Sequence, residues 1–166
     1  SNRTQTGRWS DITDQKNISD EIVQKRIFIL WFAHGESPQN ASYQYIVVPN
    51  SIASELHKTS STNRSVEVLA NTSAVQAVEQ MGQRICQAAF YEPGEIETSD
   101  GIKIRMHRPG MAMVRTQGGG IQALTVSDPS RKMAKIRITV SGLYDREGDG
   151  FSMKPDSKEN RTDIVI

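Results

Sequence analysis

Residues 73–90 read SAVQAVEQMGQRICQAAF, and whether they form one helix or two strands decides between a mixed and an all-β chain. Val75, Val78, Met81, Ile85 and Ala89 recur at helical spacing behind a Thr72 or Ser73 cap, so periodicity alone predicts a helix. The sequence that follows argues the other way. Ile102 to His107, Met111 to Thr116, Ile121 to Val126 and Met133 to Val140 alternate polar with apolar residues, and Ser-Asp-Gly, Pro-Gly, Gly-Gly-Gly and Ser-Asp-Pro turns separate the runs. Short strands at this spacing predict an antiparallel sandwich. After Gly142, a loop rich in Asp, Glu, Gly and Lys leads to a last strand expected over Thr162 to Ile166.

On the N-terminal side, Ile22 to Ala33 passes into a continuous apolar run, the pattern of a strand covered on both faces. A turn at Gly35 to Asn40 follows. Tyr43 to Val48 then alternates, with Tyr43, Tyr45 and Val47 on one face, and Pro49 ends the run because it cannot donate to a ladder. Trp31 to Pro49 is therefore expected to form a hairpin. Asn50 or Ser51 can cap a short helical turn through Leu56, and the polar run Lys58 to Ser65, which has no apolar anchor, marks the domain boundary.

The 166 residues suffice for one ordinary domain or two small all-β ones. Twenty basic against nineteen acidic side chains leave a net charge of +1, so no overall field draws in nucleic acid or an anionic membrane, and polyanion binding has to be local. Hydrophobic content of 36% with a mean hydropathy of −0.51 suits a sandwich with wet outer faces. The longest apolar run, Ile27 to Ala33, is too short to span a bilayer. Cys86 is the only cysteine, which excludes an internal disulfide and a multi-cysteine metal site, and its neighbours Ile85 and Ala88 favour an inert core thiol. The sequence has neither an initiator Met nor a signal peptide. Ser1-Asn2 resembles the remnant of a cleaved expression tag, which makes the chain a piece of something larger.

Four groups of residues are candidates for chemistry. His34 with Tyr43 or Tyr45 could supply a base and an acid for proton abstraction, as in a small histidine-dependent enzyme, although a turn histidine beside buried tyrosines is the favoured reading. His57 and His107 lie in separate segments without metal-ligand spacing. Asp145, Glu147 and Asp149, with Asp156 further on, partly follow a calcium loop, but the flanks are not helical and a solvated acidic loop is favoured, so no cofactor is expected. Arg105, His107, Arg108 and Arg115 lie on neighbouring expected strands and could form a small basic patch contacting sulfate or carboxylate groups of a carbohydrate, against the commoner reading of solvated arginines. Five Asn-x-Ser/Thr sequons, at Asn17, Asn40, Asn63, Asn71 and Asn160, would matter only in a eukaryotic secretory pathway.

Two stretches resemble the β-domains of the family-eight polysaccharide lyases, the chondroitin, hyaluronan and xanthan lyases. In the first, Gly7-Arg8-Trp9, Asp11-Ile12, His34-Gly35, Pro38, Asn40-Ala41-Ser42-Tyr43, Tyr45 and Pro49 resemble the closing strands of the family's large central sandwich. The second comprises Val66 to Asn71, Val75-Gln76-Ala77-Val78, Ala89-Phe90, Met111 to Arg115 and Leu124 to Ser130, and it resembles the small C-terminal sandwich. The resemblance covers about residues 7 to 142, and it replaces the helix at 73–90 by two strands.

It implies an all-β, antiparallel fold: closing strands of the central sandwich over 1–57, a linker over 58–65 and the small sandwich over 66–166. It also implies a secreted or periplasmic bacterial enzyme that cleaves an acidic polysaccharide by β-elimination, using an Asn, His, Tyr and Arg set on an N-terminal helical toroid. No catalytic residue carries over to this sequence, because His34 and the tyrosines match the structural hairpin. The expected partners are the toroid and the polysaccharide, with no nucleic acid and no membrane; the alternative is a free-standing carbohydrate-binding module.

Overall fold

The computed structural model describes residues 2–52, 54 and 65–166. The helical turn expected through Leu56, most of the linker, His57 and Asn63 lie outside the described residues. The chain divides into two compact units, Ser1–Tyr45 and Ile46–Ile166.

In the first unit, β1 (Asn2–Gly7) pairs antiparallel with β2 (Val23–Phe28), and a 3-10 turn over Trp9–Asp11 lies between them. Asn2, read from sequence as a tag remnant, pairs with Phe28 at the end of this ribbon. The covered strand expected over Ile22 to Ala33 is shorter and wetter than its composition implied. Only Val23 and Ile27 of β2 are even half-buried, and Leu30 and Trp31 beyond it are 64% and 65% exposed. The hairpin expected over Trp31 to Pro49 is not formed as a ladder, because neither 31–34 nor 43–48 is strand. A two-stranded ribbon has no second layer on which to bury an apolar face, and isolated pairings of that kind are marginal in water.

The second unit contains β3 (Val66–Asn71), β4 (Val75–Gln80), β5 (Ile85–Phe90), β6 (Gly94–Glu97), β7 (Lys103–Met106), β8 (Gly110–Gln117), β9 (Gly120–Ser127), β10 (Arg137–Ser141), β11 (Ser152–Asp156) and β12 (Arg161–Val165). They form two five-stranded antiparallel sheets, ordered β3-β4-β5-β8-β9 and β11-β12-β10-β7-β6. The inward residues of both sheets make one core: Val75, Ala77, Cys86, Ala88, Phe90, Ala112 and Val114 from the first, and Ile96, Ile104, Met106, Ile138, Val140 and Ile164 from the second. The predicted sandwich is therefore the fold. The segment 73–90 is two strands, β4 and β5, as the family resemblance implied and helical periodicity did not. Gly118 and Gly119, both at positive φ (+61° and +76°), close the β8–β9 hairpin in a two-residue turn, where the paired positive angles suit glycine.

Met133 to Val140 was expected to be strand throughout, but the ladder begins only at Arg137. The preceding residues are held as a loop by Asp128. One of its carboxylate oxygens accepts from the Ser130 N–H and hydroxyl, and the other from the Lys132 and Met133 N–H groups, at 2.6–2.8 Å. These hydrogen bonds, the Ser130 hydroxyl first, lower the Asp128 carboxyl to about 2. Two bulges interrupt the first sheet, at Leu69 in β3 and at Gln122 in β9. Neither β6 nor β11 was predicted. One is four residues long and the other contains Pro155.

Cys86 is 2% exposed, and burial, with the Glu79 carboxylate beside it, pushes its thiol up to about 12. A thiol-disulfide reagent at pH 8 should label the native chain far more slowly than the urea-unfolded one, since such a shift lowers the thiolate population roughly a thousandfold. Equal labelling rates would show that the core opens freely around β5.

Candidate functional site

The aromatic residues between 32 and 45 do come together. Phe32 stacks on Tyr43 at 4.7 Å between ring centroids, Tyr43 on Tyr45 at 6.4 Å, and His34 lies 6.2 Å from Tyr43 with its ring tilted by 34°. Proton transfer needs a base within hydrogen-bond reach of the group it serves. The His34–Tyr43 separation is a ring contact, and His34 has no hydrogen bond among the described residues. The tyrosines are not buried as expected: Tyr43 and Tyr45 are both exposed.

The basic patch is divided between the two sheets. Arg105 and His107 lie on the outer face of the β11-β12-β10-β7-β6 sheet. Arg115 lies on the outer face of β8 in the other sheet, and so on the opposite side of the sandwich. Strand alternation fixes this, since Ile104 and Met106 point inward on β7 while Val114 points inward on β8. The neighbour that joins Arg105 and His107 is Arg137. The His107 N–H donates to the Arg137 carbonyl at 3.3 Å, which places His107, the residue just after β7, opposite Arg137 at the start of β10.

His107 is also wired into that face. Thr139 Oγ1 donates to Asp163 Oδ1 at 2.5 Å, and His107 Nε2 lies 2.8 Å from the same hydroxyl. Because the one hydroxyl proton is directed to Asp163, Nε2 carries the ring proton and donates to Thr139, leaving Nδ1 as the atom that titrates. Burial, then the charges of Arg105 and Arg137, lower the imidazole below its usual 6.5, and Asp163 opposes them only in part. Arg108 is exposed in the turn after β7.

Asp145, Glu147 and Asp149 lie in the loop before β11, where only an isolated bridge joins Gly148 to Phe151. Among the described residues, no three His, Cys, Asp or Glu side chains converge on a point where a metal would sit. Sequence reading missed Arg137, Thr139 and Asp163, which join His107 only through the β7-β10-β12 register. The one signal in the sequence is charge, and it points only to Arg137. From 101 to 144, eight lysines and arginines accompany a single acid, Asp128.

Comparison with known proteins agrees with this architecture. Residues 1–60 match the model of the polysaccharide lyase family 8 super-sandwich domain, and residues 67–137 match that of the family's C-terminal β-sandwich domain. The chain is 34% identical over 144 residues to the chondroitinase-AC of Pedobacter heparinus, covering 86% of this chain and 20% of that enzyme. It is 45% identical over 142 residues to a hyaluronate lyase of Enterococcus faecalis, covering 85% of this chain and 13% of that one. A solved chondroitinase AC lyase, studied in oligosaccharide complexes, superposes on 98% of the chain and 22% of its own length with a TM-score of 0.69 and 29% identity. The chain thus spans about a fifth or less of the length of these curated relatives. With both of its matched segments drawn from one family and its sandwich superposing on a solved member, the chain belongs to polysaccharide lyase family 8.

Proposed function

We propose that this chain is the noncatalytic β-sandwich portion of a secreted bacterial glycosaminoglycan lyase acting by β-elimination, supporting a catalytic helical toroid. The observation that carries the reading is the tandem match, super-sandwich sequence followed by C-terminal sandwich sequence, in a chain of 166 residues. In this reading 1–57 contributes closing strands to the central sandwich, 58–65 is the linker, and 66–166 is the small sandwich. The exposed Leu30, Trp31 and Tyr45 are then covered by the rest of the central sandwich. No catalytic residue is assigned to the chain, no cofactor is assigned, and a calcium ion at Asp145, Glu147 and Asp149 remains the lesser reading of that loop.

The test is an assay for the absorbance of the unsaturated uronate that β-elimination produces, with chondroitin sulfate or hyaluronan and the isolated chain. No turnover is expected, and genuine turnover would overthrow the noncatalytic assignment. A free-standing carbohydrate-binding module is the second reading. What favours it is the exposed stack of Phe32, Tyr43 and Tyr45, since ring faces of this kind hold sugars. The native gene upstream of Asn2 separates the two: a helical region carrying an Asn, His, Tyr and Arg set supports the lyase, and its absence supports the module.

A further inference from the structure

We infer that the outer face of the β11-β12-β10-β7-β6 sheet, at the end where Arg105, His107 and Arg137 meet, is a binding site for an anionic polysaccharide, engaging its sulfate or carboxylate groups. The choice of a polysaccharide rests on the lyase reading above; the anion chemistry rests on the face itself.

Charge is segregated along this chain. Its net charge is +1, yet 101–144 holds eight lysines and arginines against Asp128. That one carboxylate is held in its own loop by backbone N–H groups, and it is the only acid within the segment to set against eight cations. The fold then gathers several of these cations. Successive outward residues on a strand stand about 7 Å apart and directly opposed ones about 5 Å, which puts Arg105, His107 and Arg137 within one such triangle. Lys135 lies two residues before Arg137 and, like Arg105 and Arg137, is exposed.

None of Arg105, Arg108, Arg131, Lys132, Lys135 or Arg137 is in an ion pair among the described residues. Like charges placed side by side without partners oppose folding, so such an arrangement is better accounted for by an anion that relieves it than by stability. The acids facing the group are few. Glu95 of β6 lies across from Arg105 in register without forming an ion pair, and Asp163 of β12 is bonded to Thr139. Arg161 of β12 adds a further positive charge toward His107, although it is paired with Glu159 and Asp156. Two guanidiniums beside a hydroxyl and an imidazole match the repeating acidic groups of a glycosaminoglycan, which offers carboxylate or sulfate at regular intervals.

His107 provides an internal reporter. A polyanion on this face cancels the repulsion of Arg105 and Arg137 that disfavours the protonated ring, so binding and protonation at Nδ1 reinforce each other. Since the free imidazole titrates below 6.5, affinity should rise as pH falls through that point.

The experiment is a titration of the full chain with chondroitin sulfate at low ionic strength, followed by NMR of the His107 ring and by calorimetry. Neutral dextran and a DNA duplex serve as comparisons. Expected are binding that weakens with added salt, an upward shift of the His107 titration, at least a tenfold loss of affinity in R105Q/R137Q, and no change in R115Q on the opposite sheet. Retained native melting in each variant certifies the fold. Four results would overturn the site: no binding, equal losses in both variants, an unmoved His107, or tighter binding of the DNA than of the polysaccharide. Failure here would leave the noncatalytic lyase reading standing, and uronate-unsaturating turnover by the chain would remove that reading without touching this face.

Discussion

Glu79→Ala should lower the stability of the sandwich unit by about 2 kcal/mol, as expected when the two part-buried donors of Ser99 lose their acceptor and a small void is left on the inner face of β4. Glu79 is a charged side chain in the core, 2% exposed on β4 between Ala77 and the turn to β5. Its Oε2 accepts from the Ser99 N–H at 2.8 Å and the Ser99 hydroxyl at 2.9 Å, binding the β6–β7 turn of one sheet to a strand of the other. Asp100 in the same turn accepts from Thr116 of β8 at 2.6 Å and pairs with Arg84 at 3.1 Å, so a polar clasp closes this end of the sandwich. Glu79→Gln keeps an acceptor oxygen for Ser99 and should cost less than half as much. Urea denaturation followed by far-UV circular dichroism measures both, since Trp9 and Trp31 lie in the other unit and report on it instead. An alanine variant as stable as the parent would mean that desolvating the carboxylate offsets everything the clasp contributes.

Ile138→Ala should cost about 3–4 kcal/mol, within the range for a fully buried aliphatic whose surroundings cannot collapse into the gap. Ile138 is 0% exposed on β10, the central strand of its sheet, with Met106 opposite on one side and Ile164 on the other. These three side chains form the middle row of the inner layer, so the void opens where neighbours press from both flanks. Val68→Ala, on an outer face at 40% exposure, should stay within about 0.5 kcal/mol. Urea midpoints with an unchanged denaturant slope would assign the difference to packing. If the two substitutions cost the same, the interior of this sandwich would not be tightly packed.

Much of the sandwich was legible because alternation records which side chain faces inward. Ile102 to Met106 alternates buried apolar with exposed basic residues without a break, and its sequence, IKIRM, shows it. The segment 73–90 concealed the same regularity, because Glu79 is buried while Val78 is 40% exposed, inverting the hydropathy that the pattern depends on. What remained was a spurious helical period. The strand β11 was unreadable since SMKPD has neither the apolar alternation nor the β-favouring residues of a strand, and it forms only because β12 is already there to pair with. The opposite error occurred at Trp31 to Pro49, where composition promised a buried hairpin and the described unit has no second layer to bury it. For the basic face, sequence identified Arg105 and His107 but assigned them Arg115, because nothing local says which of two sheets a strand joins. The correct neighbour, Arg137, follows only from the β7–β10 register.

The four outermost strands of the sandwich differ in sequence but share one outcome. The ladder of β3 is broken by the bulge at Leu69 and that of β9 by the bulge at Gln122. Strand β6 is four residues long and presents Glu95 and Glu97 outward, and β11 carries Lys154 next to Pro155, which has no N–H to donate. A flat, regular border would invite another chain to extend the sheet, and each of these devices denies it a template. The sheets therefore terminate at their own borders, and one copy of the sandwich is kept from growing into fibres with the next.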